Sequence, residues 1–175
     1  MLEKALQRLG RGENSALDEI YEQTAKTVFA VAYSYTRNKF AAEDISQETY
    51  INIMRYISYY KPNTNPKAWI IQIAKNASLN YLKKTKREAT ENIEKIYELQ
   101  TDEKTDQKFE SDELVKLIEK SLDQVTANIV LLHLIGDMTF EEISRVTETN
   151  GSTVRWKYGK AMKSLEKILR ENGYE

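Results

Sequence analysis

Between Ala41 and Arg87 the side chains fall into two sets of opposite electrostatic character. Asp44, Glu48, Ile51 and Arg55 are separated by steps of four, three and four, so on a helix they share one face, with Gln47 beside them. A stripe led by carboxylates either suits the positive end of its own helix dipole or presents acid to a basic partner. Downstream, Gln72, Asn76, Asn80, Lys83 and Arg87 recur at steps of four, four, three and four, with Lys75 and Lys84 alongside. Amides read base edges and ammonium groups pair with phosphates. An ordinary solvated face mixes acids with bases, yet the 39 residues from Thr49 to Arg87 contain no Asp or Glu. That absence turns the reading towards nucleic acid. A third set, Trp156, Lys160, Lys163, Lys167 and Arg170, follows steps of four, three, four and three, with Arg155 and Lys157 flanking Trp156. By itself it is equally a solvated basic face.

Nothing comparable points to catalysis. There is no Ser/His/Asp set and no glycine-rich phosphate loop, so catalytic residues, metal ligands and cofactors are all expected to be absent. The single His133 lies inside the apolar run IVLLHLI and reads as a core histidine. With no cysteine in 175 residues, disulfides and thiolate metal sites are excluded, which suits a reducing cytoplasm. No segment approaches the roughly 18 apolar residues of a membrane span, and MLEKALQRLGRGE lacks the apolar centre of a signal peptide. The expectation is a cytoplasmic chain without direct membrane insertion.

The net charge of −1 conceals a strong division along the chain. Residues 1–87 hold 14 Lys/Arg against 8 Asp/Glu (+6), residues 88–124 hold 5 against 12 (−7), and residues 125–175 hold 7 against 7. The basic part is therefore N-terminal and the acidity sits in the middle.

The elements that must position these side chains are all helical. A short helix with Leu2, Ala5, Leu6 and Leu9 stops at Gly10 and Gly12; Ser15 is expected to cap a longer one, Ala16 to Arg37, with Leu17, Ile20, Tyr21, Val28, Val31, Ala32 and Tyr35 inward. After the stripe helix, Asn65-Pro66 reads as an N-cap and first position of a helix from Lys67 to Arg87, burying Ile70, Ile73, Ala74, Ala77 and Tyr81. Residues 88–111 are charged and poor in apolar side chains, and read as an acidic flexible linker with only a weak helix around Ile93, Ile96 and Tyr97. Residues 112–175 make a second unit. Its first helix uses Leu114, Leu117, Ile118 and Leu122, its second is capped by Thr126 and uses Ile129, Val130, Leu132 and Leu134, and Thr139 to Glu142 spells a capping box. A final helix from Ser152 buries Val154, Tyr158, Ala161, Leu165 and Ile168. A short helix, a tight turn and a helix with basic early turns describe a helix-turn-helix. The fold class is all-α: two small helical domains, 1–87 and 112–175, each of four helices, joined by the linker.

AAEDISQETYINI followed by NPKAWIIQIAKNASLNYLKK resembles region 2 of bacterial RNA polymerase sigma factors, and most of all the small two-domain extracytoplasmic-function (ECF) group. MTFEEISRVTETNGSTVRWKYGKAMKSLEKIL resembles region 4 of the same family. The resemblance implies that residues 1–87 bind the polymerase core and recognise and melt the minus-ten element, while 112–175 recognise the minus-thirty-five element. Asp44, Gln47, Glu48, Ile51 and Arg55 would then dock on the core. Tyr59, Tyr60, Lys61, Asn63 and Asn65 in the loop, with Gln72, Lys75, Asn76, Asn80, Lys83 and Lys84 on the helix, would engage minus-ten DNA. Ser152, Thr153, Arg155, Trp156, Lys157 and Lys160 would contact the upstream element. Trp69 reads as packing beneath the loop. Polymerase core, promoter DNA and an anti-sigma factor are the implied partners.

The chain departs from the family pattern in places. Thr147, Glu148 and Thr149 stand where the turn usually has leucine, glycine and an aliphatic residue; Val125-Thr126 replaces leucine-proline; Gly159 falls inside a helix; Asn80 replaces an aspartate and Lys83-Lys84 replace arginines. The alternative function is a free-standing helix-turn-helix regulator. That alternative accounts for residues 126–170 but leaves the acidic stripe and the acid-free face without a purpose.

Overall fold

The computed structural model describes residues 1–91 and 110–171, and most of the linker lies outside them. Among the described residues the secondary structure is helical throughout: α1 (Leu2–Gly10), α2 (Ala16–Thr36), α3 (Lys39–Tyr56), a 3-10 turn (Ile57–Tyr59), α4 (Pro66–Glu91), α5 (Glu110–Ser121), α6 (Gln124–Leu134), α7 (Phe140–Thr147) and α8 (Gly151–Glu171). The class is all-α, and no helix of the described residues is long and apolar enough to cross a membrane.

The ends of the helices follow local chemistry. Asn38, in extended conformation, caps α3 by accepting from the Ala41 amide at 2.9 Å, and Asn65 caps α4 by accepting from Ala68 at the same distance. Because α3 begins at Lys39, Asp44 and Glu48 lie beyond its first turn, and helix-dipole capping does not account for them. Thr139 and Glu142 form the reciprocal box expected at the start of α7. Two expected caps are corrected. Ser15 is helical in conformation and turns its hydroxyl to Glu13, and α6 is capped by Asp123, which accepts from the amide of Thr126.

Several core expectations change too. Tyr21 is exposed and lies over Tyr50, with ring centroids 5.1 Å apart, while Leu114 and Leu134 also face outward. Helix α4 runs four residues past the expected boundary at Arg87. His133 packs with Phe140 and Tyr158 in a three-ring cluster, each ring 4.7 Å from the imidazole, and its Nδ1 lies 2.7 Å from the Met138 carbonyl.

The two units are packed on one another. One buried cluster joins Ile20, Val28, Ala30, Val31, Ile70 and Ala74 of the first to Ile129, Leu132, Met138, Ile143, Val146 and Val154 of the second. Each of the larger side chains, the Ile, Leu, Val and Met of this set, contributes about 1.5–3 kcal/mol when fully buried. The approach is close where α2 meets the turn after α6. A Cβ on Gly136 would stand 3.0 Å from the Ala30 Cβ and 2.6 Å from the Leu132 carbonyl oxygen, so only glycine lets the backbone come this near. The buried Thr27 hydroxyl donates to the Gly136 carbonyl at 2.7 Å. Arg37 ends α2 at φ 52° and reaches across to Glu119, Asn128 and the Gln124 carbonyl. Tyr33 donates to the same Glu119 carboxylate at 2.9 Å.

Candidate polymerase and DNA surfaces

Helix α3 inserts Ile45, Thr49, Tyr50 and Ile53 into the core, and that register turns Asp44, Gln47, Glu48, Ile51 and Arg55 outward. All five are exposed along one stripe. Asn52 ties it together, donating to Glu48 at 3.1 Å and accepting from Arg55 at 3.2 Å. Two exposed apolar residues extend the stripe and were not singled out in the sequence: Phe40, one turn before Asp44, and Met54, one turn after Ile51. The signal was available, since Phe40, Asp44, Gln47, Ile51 and Met54 keep helical steps of four, three, four and three.

The loop between α3 and α4 is held from below. Tyr60 is only 8% exposed; its hydroxyl hydrogen-bonds the Glu3 carboxylate of α1 and its ring lies 5.1 Å from Trp69. Glu3 also accepts from the amide of Asn63, whose φ of 62° is left-handed. These contacts, led by the Tyr60 hydroxyl, hold the Glu3 carboxyl below its usual range, and burial together with Glu3 pushes the Tyr60 phenol up. Tyr60 is therefore an anchor of the loop and has no free ring face for a base, contrary to its grouping with the loop's DNA candidates. Trp69 packs beneath the loop, as its size implied. Tyr59 is 75% exposed beside Tyr56, with Lys61, Asn63 and Asn65 around it on the surface, though the Asn65 side chain is engaged as a cap.

Along α4, Gln72, Asn76, Asn80, Lys83 and Lys84 are exposed on the side away from the core. Gln72 donates to Asn76 at 2.9 Å, which fixes both amides, and Lys84 lies 3.9 Å from Glu88. Lys75 differs from them. Its ammonium is paired with Glu148 of the second unit at 2.7 Å and its side chain is 15% exposed. The pair raises the Lys75 pKa and lowers that of Glu148. Lys67, at the start of α4, likewise reaches the Asp137 carbonyl and the Glu142 carboxylate.

In the second unit α7, a three-residue turn and α8 make a helix-turn-helix. Glu148 occupies the turn at φ 53°, the left-handed region for which glycine would have been the ordinary choice. Ser144 closes the turn by donating to the Thr149 carbonyl at 2.6 Å. Asn150 accepts from both the amide and the hydroxyl of Ser152, so that hydroxyl is engaged at the helix start. Arg155, Trp156 and Lys160 are exposed, with the Lys160 ammonium 5.2 Å from the centre of the Trp156 ring. Thr153 is half-buried. Lys157 turns inward to the Thr126 hydroxyl at 3.4 Å and does not stand with the exposed set.

The described residues thus carry an acid-and-apolar stripe and an adjoining amide-and-lysine face in the first helical unit and a helix-turn-helix in the second. The family model for sigma-70 region 2 matches residues 20–88. The ECF RNA polymerase sigma factor SigE of Mycolicibacterium smegmatis is 27% identical over 173 residues, covering 94% of this chain and 66% of that protein. SigM of Bacillus subtilis is 36% identical over 74 residues, 42% of this chain and 45% of that protein, and SigK of Mycobacterium ulcerans is 24% identical over 96% of this chain and 93% of its own. The chain thus spans 66% and 45% of SigE and SigM, and nearly all of SigK. Residues 20–88 match sigma-70 region 2, and along most of its length the chain is similar to ECF sigma factors. Two solved structures share its fold: CnrH in complex with the cytosolic domain of CnrY (TM-score 0.63, 16% identity, 98% of both chains), and the sigma factor RpoE of Bartonella quintana with the anti-sigma factor NepR (TM-score 0.61, 17% identity, 87% of this chain and 96% of that one).

Proposed function

We propose that this chain is a detachable specificity subunit of bacterial RNA polymerase, which docks on the core enzyme, recognises promoter DNA and opens its strands. It acts by binding, and the chemistry of RNA synthesis belongs to the polymerase. The observation that carries the proposal is the pairing of two exposed faces on adjacent helices, α3 for protein and α4 for DNA, within the part of the chain that matches sigma-70 region 2.

Asp44, Gln47, Glu48, Ile51 and Arg55 form the core-binding surface, with Phe40 and Met54 as its apolar flank. Tyr59, Lys61 and Asn63 on the loop and Gln72, Asn76, Asn80, Lys83 and Lys84 on α4 meet the minus-ten element. Unstacking a base costs a few kcal/mol, and an aromatic stacking partner returns about 1–3 kcal/mol; Tyr59 is the ring exposed enough to supply it. Arg155, Trp156 and Lys160 read the minus-thirty-five element. Residues 1–87 and 112–175 are the corresponding functional domains, the protein works in the cytoplasm, and an anti-sigma factor holds it in reserve. The structure of RpoE, which has a similar fold, is a complex of that last kind, with the anti-sigma factor NepR.

Run-off transcription with core polymerase tests the proposal. The wild-type chain should direct transcripts, whereas Asp44→Arg with Glu48→Arg should lose core binding with an unchanged circular-dichroism spectrum. Co-purification of that variant with the core would refute the docking face. Tight, two-fold symmetric binding to duplex DNA without polymerase would instead favour a free-standing regulator.

A further inference from the structure

Helix α1 is held to the first unit by its apolar side, with Ala5, Leu6 and Leu9 buried in the core that also receives Tyr60 and Ile70. That seating brings Glu3 under the loop between α3 and α4, where both oxygens of its carboxylate are engaged. One accepts from the Tyr60 hydroxyl; the other accepts from the Asn63 amide at 3.1 Å and from Gln7 of α1 at 3.0 Å. A single side chain thus ties the loop down on both sides of Lys61 and Pro62. Proline followed by asparagine suits the central positions of a type II turn, whose second central residue needs a positive φ, and Asn63 stands at φ 62°. The Thr64 hydroxyl closes the turn by donating to the Lys61 carbonyl at 2.7 Å. Tyr59, Lys61, Asn63 and Thr64 are all exposed, so the outer surface of the loop is open while its backbone is fixed from within. The run from Thr49 to Arg87 contains no acid of its own, and this carboxylate reaches Tyr60 from 57 residues upstream. A bare carboxylate beside DNA repels phosphate, but here its lone pairs are directed to donors of the protein.

We infer that Glu3 is a positioning residue for promoter opening, holding the loop in the shape that selects the base displaced from the minus-ten element. It acts through Tyr60 and Asn63 and touches no DNA itself. This inference rests on the proposal that the loop and α4 engage minus-ten DNA. A base that leaves the stack is captured selectively only where the groups that receive it already stand in place. A loop free to move would meet any base with similar ease and hold each more weakly. The tie to α1 removes that freedom, so its contribution is discrimination among bases. Grip on the phosphates comes instead from Lys83 and Lys84, further along α4.

The test uses the full chain bound to core polymerase and a single-stranded DNA pool randomised over a short window, sequenced before and after binding. Asn63→Ala marks the position that the loop reads, as the one whose base preference it changes most. Glu3→Gln keeps the size of the side chain but replaces one acceptor oxygen with an amide nitrogen. It should lower the enrichment of the preferred base at that position about two- to tenfold, the size expected for one lost hydrogen bond, and leave the other positions unchanged. Tyr60→Phe, which removes only the hydroxyl, should reproduce the effect from the loop's side, and the double variant should add little more. Arg8→Ala breaks the α1 ion pairs with Glu13 and Glu19 without touching the loop, and should leave that preference intact. If Glu3→Gln does not assemble with the core, Tyr60→Phe alone decides the outcome. An unchanged preference in the assembled variants, or an equal loss in Arg8→Ala, overturns the positioning role alone. A wild-type holoenzyme that selects no base, or whose selection Asn63→Ala leaves unaltered, overturns the reading of the loop beneath it.

Discussion

Thr27→Val examines the seam between the two units with little change in shape. Valine keeps the volume of threonine but removes the hydroxyl that donates to the Gly136 carbonyl at 2.7 Å, and both residues are buried. A buried acceptor left without its donor costs about 1–3 kcal/mol. For a chain of this size each kcal/mol moves the melting temperature by about 2–4 °C, so the expected fall is about 2–12 °C. Urea unfolding followed by far-ultraviolet circular dichroism gives the free energy directly. Thr85→Val is the control, because its hydroxyl is exposed and bonds within its own helix, to the Tyr81 carbonyl at 3.0 Å; its effect should stay within about 0.5 kcal/mol. If Thr27→Val and Thr85→Val unfold at the same urea concentration, the units are not packed through Gly136 in solution, and the account of the seam is wrong.

Arg155→Ala should cost about 1–3 kcal/mol at one upstream base pair and little elsewhere, whereas Lys83→Ala should weaken binding to every sequence and flatten its salt dependence; filter binding of holoenzyme to promoter variants separates the two, and equal losses throughout would remove the distinction between readout and positioning. Acid should loosen the fold in a definite direction. The Asp123 and Glu148 carboxyls are held below their ordinary values of 3.8 and 4.5, the first chiefly by the Thr126 hydroxyl and the second by Lys75. Their stabilisation is thus complete above those values and lost as the pH falls through the lower values of the folded chain. Urea midpoints should therefore hold steady near neutrality and decline below about pH 4.5. A midpoint that rises on acidification would contradict both assignments.

Local grammar made much of this legible from the residues alone. Asn65-Pro66 and Thr139–Glu142 announce helix starts because their side chains act within three residues of themselves. The acid-free run of 39 residues marked the α4 face without any knowledge of the fold. What escaped was contact at long range. Tyr60 looked like a member of an exposed loop because its partner, Glu3, lies 57 residues away on α1. Lys75 looked like its neighbours because nothing nearby in the chain foretells Glu148. The role of Gly136, admitting α2 to close range, depends on Ala30 of a distant helix. Asp123 displaced Thr126 as a cap because an aspartate one helical turn earlier offers the amides a charged acceptor. The substitution of Glu148 for glycine was visible as an anomaly, but only the folded chain gives it a partner.

The chain contains only two tryptophans, and the fold assigns one to each unit. Trp69 is sheltered under the loop between α3 and α4 against Tyr60, while Trp156 stands in solvent on α8 beneath a lysine ammonium. Their emission should differ in colour and in susceptibility to a soluble quencher. Replacing either with phenylalanine would leave a label-free optical reporter on a single half of the molecule, able to time loop engagement and upstream contact as separate events.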